Sequence, residues 1–393
     1  MTIAVVGGGI AGLTTALSLQ SHGFAVTLIE QAAGFGEVGA GLQLGPNAVK
    51  VLNKLGLKTP LYTAADPPEA LQLRSGYSGQ TMLSLPLGRA AEQRWGAPYL
   101  HIHRADLIDV LGRAAQARGI EIRLSQQVAE FTEEGDYAAV RLAGGEKLRA
   151  QCVIAADGVR SMLRDTYFED EKPEFTGSIA WRCTVPTQSL GRFKPNKAAT
   201  IWTGRGRHAV TYMLRDGGLT NLVAVVDDQS PQAHSWRQSG PAAQALKDFQ
   251  GFDPTILKIL RKADTLYRWG LYERPLPKRW YKDRLVLVGD ACHAMLPFLA
   301  QGAAMAIEDA WVLARIMKQN GPTAAAFSAY QSAREGRVKK VIAQSKANGA
   351  RFHLSKDSAR LGAFAVLRAS ELLSDETRLA QFDWVYGFDA TTS

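Results

Sequence analysis

Two places in the chain bring reactive side-chain types together. Cys292 and His293 are adjacent, just after the apolar run 285–288 and Gly289-Asp290. Near the start, Gly7, Gly9 and Gly12 fall in a G-x-G-x-x-G spacing, and Glu30 stands 18 residues beyond the last of them. A cysteine beside a histidine suggests a nucleophile or a metal site, but adjacency argues against both. Neighbouring side chains point to opposite faces of a strand and diverge by about 100° on a helix. No third or fourth ligand stands at a useful spacing, so no metal site is expected and both residues read as packing.

The glycines have a clearer use. Ile3 to Val6 is a short β-branched run, an apolar helix pattern follows, Gly23 stops it, and Val26 to Ile29 makes a second strand. In such a strand–turn–helix, Gly7 permits the tight turn and Gly9 lets a pyrophosphate approach the backbone. Gly12 lets helix and strand pack closely, with Ala11 in the same turn. The helix N-terminus then faces the phosphates. Glu30, ending the second strand, is placed to accept hydrogen bonds from ribose hydroxyls. A second match, Gly204 to Ala209 (GRGRHA), leads into alternating HAVTYML and a turn at Asp216-Gly217-Gly218. That is strand–turn–strand, and no nucleotide cradle is expected there. One fingerprint and no C-x-x-C argue against a two-site flavoprotein reductase.

The elements that must position these groups follow from periodicity. A Gly-rich loop beyond residue 34 leads to a helix from about Asn47 to Gly56. A hairpin turns at residues 76–79, a helix spans about 104–118, and short strands end in the Ala156-Asp157-Gly158 turn. Residues 177–226 read as consecutive antiparallel strands, where His208 and Tyr212, four apart, face the same side. A helical stretch near 241–262, a strand near 265–271 and long helices from about 303 to 373 complete the chain. The fold class expected is α/β with an α+β insert: a Rossmann-like nucleotide domain, an interleaved antiparallel β-sheet domain and C-terminal helices. The nucleotide part is assigned to residues 1–73, 98–172 and 278–330. The sheet domain takes 74–97 and 173–277, and a helical segment takes 331–393.

Composition narrows the class. With 393 residues, 46% apolar and 21% charged, the chain can bury a large core. It has no run of about 18 apolar residues to span a membrane, and its N-terminus has no signal-peptide pattern. Three scattered cysteines point to a reducing compartment, and the cytoplasm is the expected location. A net charge of +9 without a dense basic run suits an anionic small molecule better than nucleic acid. A monomer or homodimer is expected.

Three elements stand in order: Gly7-x-Gly9-x-x-Gly12 with Glu30, Ala156-Asp157-Gly158, and Leu287-Val288-Gly289-Asp290. With Glu37 to Gln43, Pro46-Asn47, the HRADL run His103 to Leu107, AWR at Ala180 to Arg182 and DWVYGFD from Asp383, the chain resembles the single-component FAD-dependent aromatic hydroxylases of the p-hydroxybenzoate hydroxylase fold. It looks most like salicylate hydroxylase and the 3-hydroxybenzoate and 6-hydroxynicotinate hydroxylases. The flavin halogenases share the scaffold, but their W-x-W-x-I-P signature is absent. The resemblance implies FAD as cofactor, NADH or NADPH as reductant, O₂ as co-substrate, and hydroxylation of a phenolic or N-heteroaromatic acid through a flavin C4a-hydroperoxide. A flavin dehydrogenase or reductase without oxygen insertion is the alternative on the same scaffold.

The resemblance also implies roles. Asp290 would bond the FAD ribityl chain, Asp157 would serve FAD and the passing nicotinamide, and Arg104 would contact the ribityl or pyrophosphate portion. Pro297 to Gly302 would lie against the flavin ring, with the helix from Gly302 and Ala303 directing its positive end there. His208 and Tyr212 match a His/Tyr pair lining the ring pocket in the hydroxynicotinate enzymes and would bias the substrate hydroxyl toward phenolate. Gln43 is a further pocket candidate. Where several relatives carry a histidine after the loop proline, this chain has Phe298, which packs against a ring but cannot take a proton. Apart from the resemblance, Arg182 or Arg205 could pair with a substrate carboxylate, against a solvated or structural role for each.

Overall fold

The computed structural model describes residues 2–36, 41–168, 171–228 and 239–392; Glu37 to Ala40 of the sequence motif lie outside the described residues. Its first sheet forms where the sequence is apolar on both faces. Ile3–Val6, Val26–Ile29, Val153–Ala155 and Leu285–Leu287 are buried throughout, as in a sheet covered on both sides. They pair in the order 281–282, 285–287, 153–155, 3–6, 26–29, 121–123, parallel except at the outermost pair. Three runs far apart in sequence thus end side by side, and Gly7, Asp157 and Gly289-Asp290 follow them at one edge. That edge, outside the carboxyl ends of the strands, is where α/β sheets take ligands.

A second sheet of seven strands runs Tyr267–Glu273, Glu174–Pro186, Leu219–Asp227, Arg207–Leu214, Ala198–Gly204, Ala70–Ser75 and Thr81–Pro86. The consecutive antiparallel reading holds from Ala198 to Asp227, including the GRGRHA turn. Glu174–Pro186 instead pairs with Leu219–Asp227, and the hairpin strand Ala70–Ser75 joins in parallel with Ala198–Gly204. Alternation sorts the two faces. Ile179, Trp181, Cys183, Ala209, Leu222 and Ala224 make an outer core with residues of the two short helices Ala242–Asp248 and Pro254–Lys262. The helix expected over 241–262 is divided there because Gly251 takes φ +82°, Pro254 starts a new helix and the Asp253 carboxylate caps Thr255 N–H. The opposite face, with Ala180, Arg182, His208, Val210, Tyr212, Val223 and Val225, is turned toward the loop around Phe298.

Helices Gly302–Asn320 and Ala324–Phe352 lock this loop in place through a buried charge cluster. The Arg334 guanidinium donates to Asp309 Oδ1 at 2.7 Å and Glu308 Oε2 at 2.6 Å, and Arg337 donates to both Glu308 oxygens at 2.8 Å. Asn47 Nδ2 donates to Glu308 Oε1 at 2.7 Å. Burial alone would raise the Asp309 carboxyl, but His293 and Arg334 hold it below the usual carboxylate range. His293 therefore departs from the sequence expectation. It is buried, but its Nε2–H donates to Asp309 Oδ2 at 2.5 Å, and Gly289 N–H donates to the same oxygen at 3.1 Å. The partner lies 16 residues on, beyond the reach of any local spacing argument. Cys292 packs in the core as expected. Among the described residues no helix is long and apolar enough to cross a membrane, and no group of metal-ligating side chains assembles.

Candidate active site

The glycine turn fits a dinucleotide by what its backbone could not otherwise accommodate. A Cβ on Gly12 would stand 1.8 Å from the Gly7 carbonyl oxygen, and one on Gly7 would stand 2.4 Å from that of Ala156. Gly9 caps the helix Ile10–Ser21 without a side-chain bond, and a Cβ there would meet nothing within 4 Å. The helix N-terminus therefore opens onto space, as a pyrophosphate needs. Beside it, Glu30 accepts from Gly8 N–H at 2.5 Å and Ala32 N–H at 2.7 Å, which fixes its carboxylate at the strand end. Ala11 lies against Gly289, where a Cβ would come within 2.9 Å of its own.

Across the edge, Asp157 has a buried Oδ1 with no partner, and burial raises its carboxyl above the usual range. A buried, unsatisfied acceptor is costly unless something donates to it. Asp290 starts the short helix Asp290–His293 and is exposed, near enough to oppose the burial that lowers the Arg104 guanidinium. These groups could hold FAD: Glu30 at the ribose, the glycine turn and Arg104 at the pyrophosphate, Asp157 and Asp290 along the ribityl chain.

The flavin loop is built next to them. Pro297–Leu299 forms one 3₁₀ turn, Ala300 takes φ +52°, and Gln301 leads into the helix Gly302–Asn320, whose first residues are Gly302 and Ala303. The long helix Ala324–Phe352 grips the loop: Ser345 Oγ donates to Leu296 O at 2.7 Å, and Asn348 Nδ2 donates to Phe298 O at 3.1 Å. Gly349 clears room for the Phe298 ring, which a Cβ would approach to 2.6 Å. Gln301 is buried and accepts from Asn47, leaving its own amide nitrogen without a partner.

Facing the loop, the inner side of the seven-stranded sheet presents His208 and Tyr212, both nearly fully buried. His208 meets Phe298 edge-on with ring centroids 5.2 Å apart. Tyr212 lies against Gly41, where a Cβ would stand 2.8 Å from its hydroxyl, and stacks on His101 at 4.6 Å. Burial raises the Tyr212 phenol well above its ordinary value, with nearby Arg182 working the other way, so at neutral pH it is a donor. Arg182 lies over Trp269 with its guanidinium carbon 4.2 Å from the ring centroid, and its Nε is buried without a partner. Burial lowers it from 12.5 to about 10. Among the described residues no carboxylate pairs with it, although the residue is part-buried and its Nε is fully so.

The sequence candidates thus gather at two adjoining places, with exceptions. Gln43 is part-buried and engaged, its Oε1 accepting from Tyr99 at 2.8 Å. Arg205 lies exposed at the strand turn, away from the inner sheet face, so the structure brings only Arg182 to it. His101, given little weight from sequence, stacks on Tyr212; it is buried, its Nε2 has no partner, and burial pulls it down to about 3. Tyr99 and Tyr386 close the same corner, their centroids 5.6 Å apart. The one local signal for His101 was its alternation with His103 on a strand.

Comparison with known proteins identifies the family and the fold. A family model described as FAD binding domain matches residues 1–345. A 3-amino-4-hydroxybenzoate 2-monooxygenase of Streptomyces platensis is 34% identical over 392 residues, covering 99% of this chain and 96% of that protein. A 6-hydroxynicotinate 3-monooxygenase of Bordetella bronchiseptica is 36% identical over 344 residues, covering 86% and 89%. Among solved structures, a salicylate hydroxylase substrate complex superposes with a TM-score of 0.80 at 25% identity, over 100% of this chain and 96% of that one.

Proposed function

The chain belongs to the FAD-binding-domain family, and from that premise we propose that it is an NAD(P)H- and FAD-dependent monooxygenase that hydroxylates a phenolic or N-heteroaromatic carboxylic acid. The observation that carries the substrate class is Arg182: a part-buried guanidinium whose buried Nε has no hydrogen-bond partner and which no carboxylate among the described residues pairs, on the sheet face that also holds the buried Tyr212 and His208. A ring carboxylate meets that need with charge-assisted bonds, and Arg is the side chain best suited to it. The relatives named above act on ring acids bearing a hydroxyl.

FAD, when bound, supplies the redox chemistry and the activation of O₂. The chain's own residues bind, orient and move protons. Arg182 holds the carboxylate and fixes the ring's direction across the inner sheet face. Tyr212, kept neutral by burial, donates to the substrate's ring oxygen and favours its ionised form. His208 stands beside Phe298, which packs on the ring but takes no proton, so His208 is the base within reach of the loop. The Pro297–Gly302 segment, held by Ser345 and Asn348, shields the reacting face from water.

The test uses purified protein with bound flavin. NADH or NADPH consumption should accelerate on adding 6-hydroxynicotinate, 3-hydroxybenzoate, 3-amino-4-hydroxybenzoate or salicylate, with an ¹⁸O atom from O₂ in the product. Acceleration without labelled product would instead assign a dehydrogenase or reductase.

A further inference from the structure

His208 does not stand alone. Its Nδ1 lies 2.6 Å from Nε2 of His353, which follows the helix Ala324–Phe352, and His353 Nδ1 lies 2.7 Å from Asp227 Oδ1. We propose that His208, His353 and Asp227 form a proton relay that carries the substrate's ring-hydroxyl proton from the buried site to solvent, a role that rests on the hydroxylase reading above.

The order of protons follows from what each atom can do. An ionised carboxylate only accepts, so His353 Nδ1–H donates to Asp227. A neutral His353 then has a bare Nε2, which accepts from His208 Nδ1–H. A neutral His208 is left with a bare Nε2, which makes no hydrogen bond to the described residues. That lone pair is the base. The substrate O–H bond breaks, its proton joins His208 Nε2, and the Nδ1 proton of His208 passes to His353 Nε2. The positive charge comes to rest on His353, bonded to the Asp227 carboxylate. No electrons change hands, and the phenolate keeps the O–H bonding pair.

The surroundings explain why the relay is needed. His208 is 2% exposed, and burial, then His353, pushes it well below the usual imidazole range, so its surroundings disfavour a positive charge on its ring. The rings of Phe298 and Phe352 flank it with centroids at 5.2 Å and offer no counter-charge. Asp227 is different: its side chain is 49% exposed and lines, with His353 and Phe298, an open cavity of about 390 Å³. Glu174, Glu273 and Lys346 also line that cavity, and Lys346 is paired with Glu273 at 2.7 Å. The proton therefore leaves an apolar interior position for an open, net-acidic mouth.

The first arm of the test is independent of substrate. ¹⁵N spectra of the FAD-loaded, histidine-labelled protein should show His208 and His353 as neutral Nδ1–H tautomers, each with an unprotonated Nε2. A protonated Nε2 with bare Nδ1 on His208 would overturn the relay. The second arm uses the aromatic acid that accelerates NADH oxidation in the parent enzyme. His353→Gln should lower the hydroxylation kcat by roughly 10- to 100-fold, at or below the usual range for general acid–base catalysis, with KM for the acid within about twofold. Asp227→Asn should lower it less, and imidazole added to His353→Ala should restore part of the rate with a dependence on imidazole base concentration. Unchanged kcat in both His353→Gln and Asp227→Asn, or a loss in KM alone, would also overturn it. Inertness toward every aromatic acid would refute the hydroxylase reading, while the nitrogen spectra would still decide the proton order.

Discussion

Arg182→Met separates holding a charge from filling space. Methionine keeps an unbranched apolar stem over Trp269 but removes the guanidinium. Burial lowers Arg182 from 12.5 to about 10, a bias of about 3 kcal/mol against the charged form. That cost is met when a carboxylate arrives, and truncating one partner of a buried, hydrogen-bonded charge pair typically costs about 2–5 kcal/mol. Binding of the aromatic acid should weaken by roughly 30-fold or more, read by titrating the flavin absorbance of the holoenzyme. The decarboxylated phenol should bind parent and variant alike. Without acid, the variant should melt at the same temperature or about 2 °C higher, because an uncompensated, part-buried charge has gone. Equal weakening of acid and phenol would make Arg182 a shape residue, and no weakening of either would place the carboxylate elsewhere.

Three further outcomes follow from the site. Tyr212→Phe should retain FAD but lower coupled hydroxylation by roughly tenfold or more, the worth of a hydrogen bond to a charged group, with peroxide rising as product falls; an unchanged product yield would remove Tyr212 from the site. Gly12→Ala would place a Cβ 1.8 Å from Gly7 O, so the protein should purify colourless and fail to take up added FAD; a yellow variant with parental affinity would contradict the cradle. His101 is 2% exposed and held down to about 3 from 6.5. The unfolded chain then binds the proton first, so its stabilising contribution is full above pH 6.5 and is lost as pH falls toward 3. His101→Gln should flatten that acid limb in urea unfolding, and an unchanged limb would refute the assignment.

Local features were legible in the sequence. The strand–turn–helix needs glycine at Gly12 because a Cβ there would meet the Gly7 carbonyl within the same turn, whereas the clash at Gly7 is with Ala156 of a strand distant in sequence. The alternation that put His208 and Tyr212 on one sheet face is likewise a property of one strand. What the sequence could not show depends on distant partners. His208 meets His353 across 145 residues, and Gln43 meets Tyr99 across 56. The parallel pairing of Ala70–Ser75 with Ala198–Gly204 has no local signature, because either strand alone reads as half of a hairpin. His293 reads as a buried apolar neighbour of Cys292 until helix Gly302–Asn320 folds back and delivers Asp309. A buried polar side chain needs its partner to be recognised, and here the partner belongs to another element.

The proposed activity is the insertion of one oxygen atom into an aromatic acid. Turnover of the flavin-loaded enzyme with NADH or NADPH under ¹⁸O₂, against the panel of hydroxylated benzoic and pyridine acids, measures it directly. A hydroxylase yields a product carrying one ¹⁸O atom, formed with reductant consumption that the acid accelerates. Reductant oxidation that yields only peroxide or a dehydrogenated product with every acid, and no ¹⁸O in any ring, would contradict it.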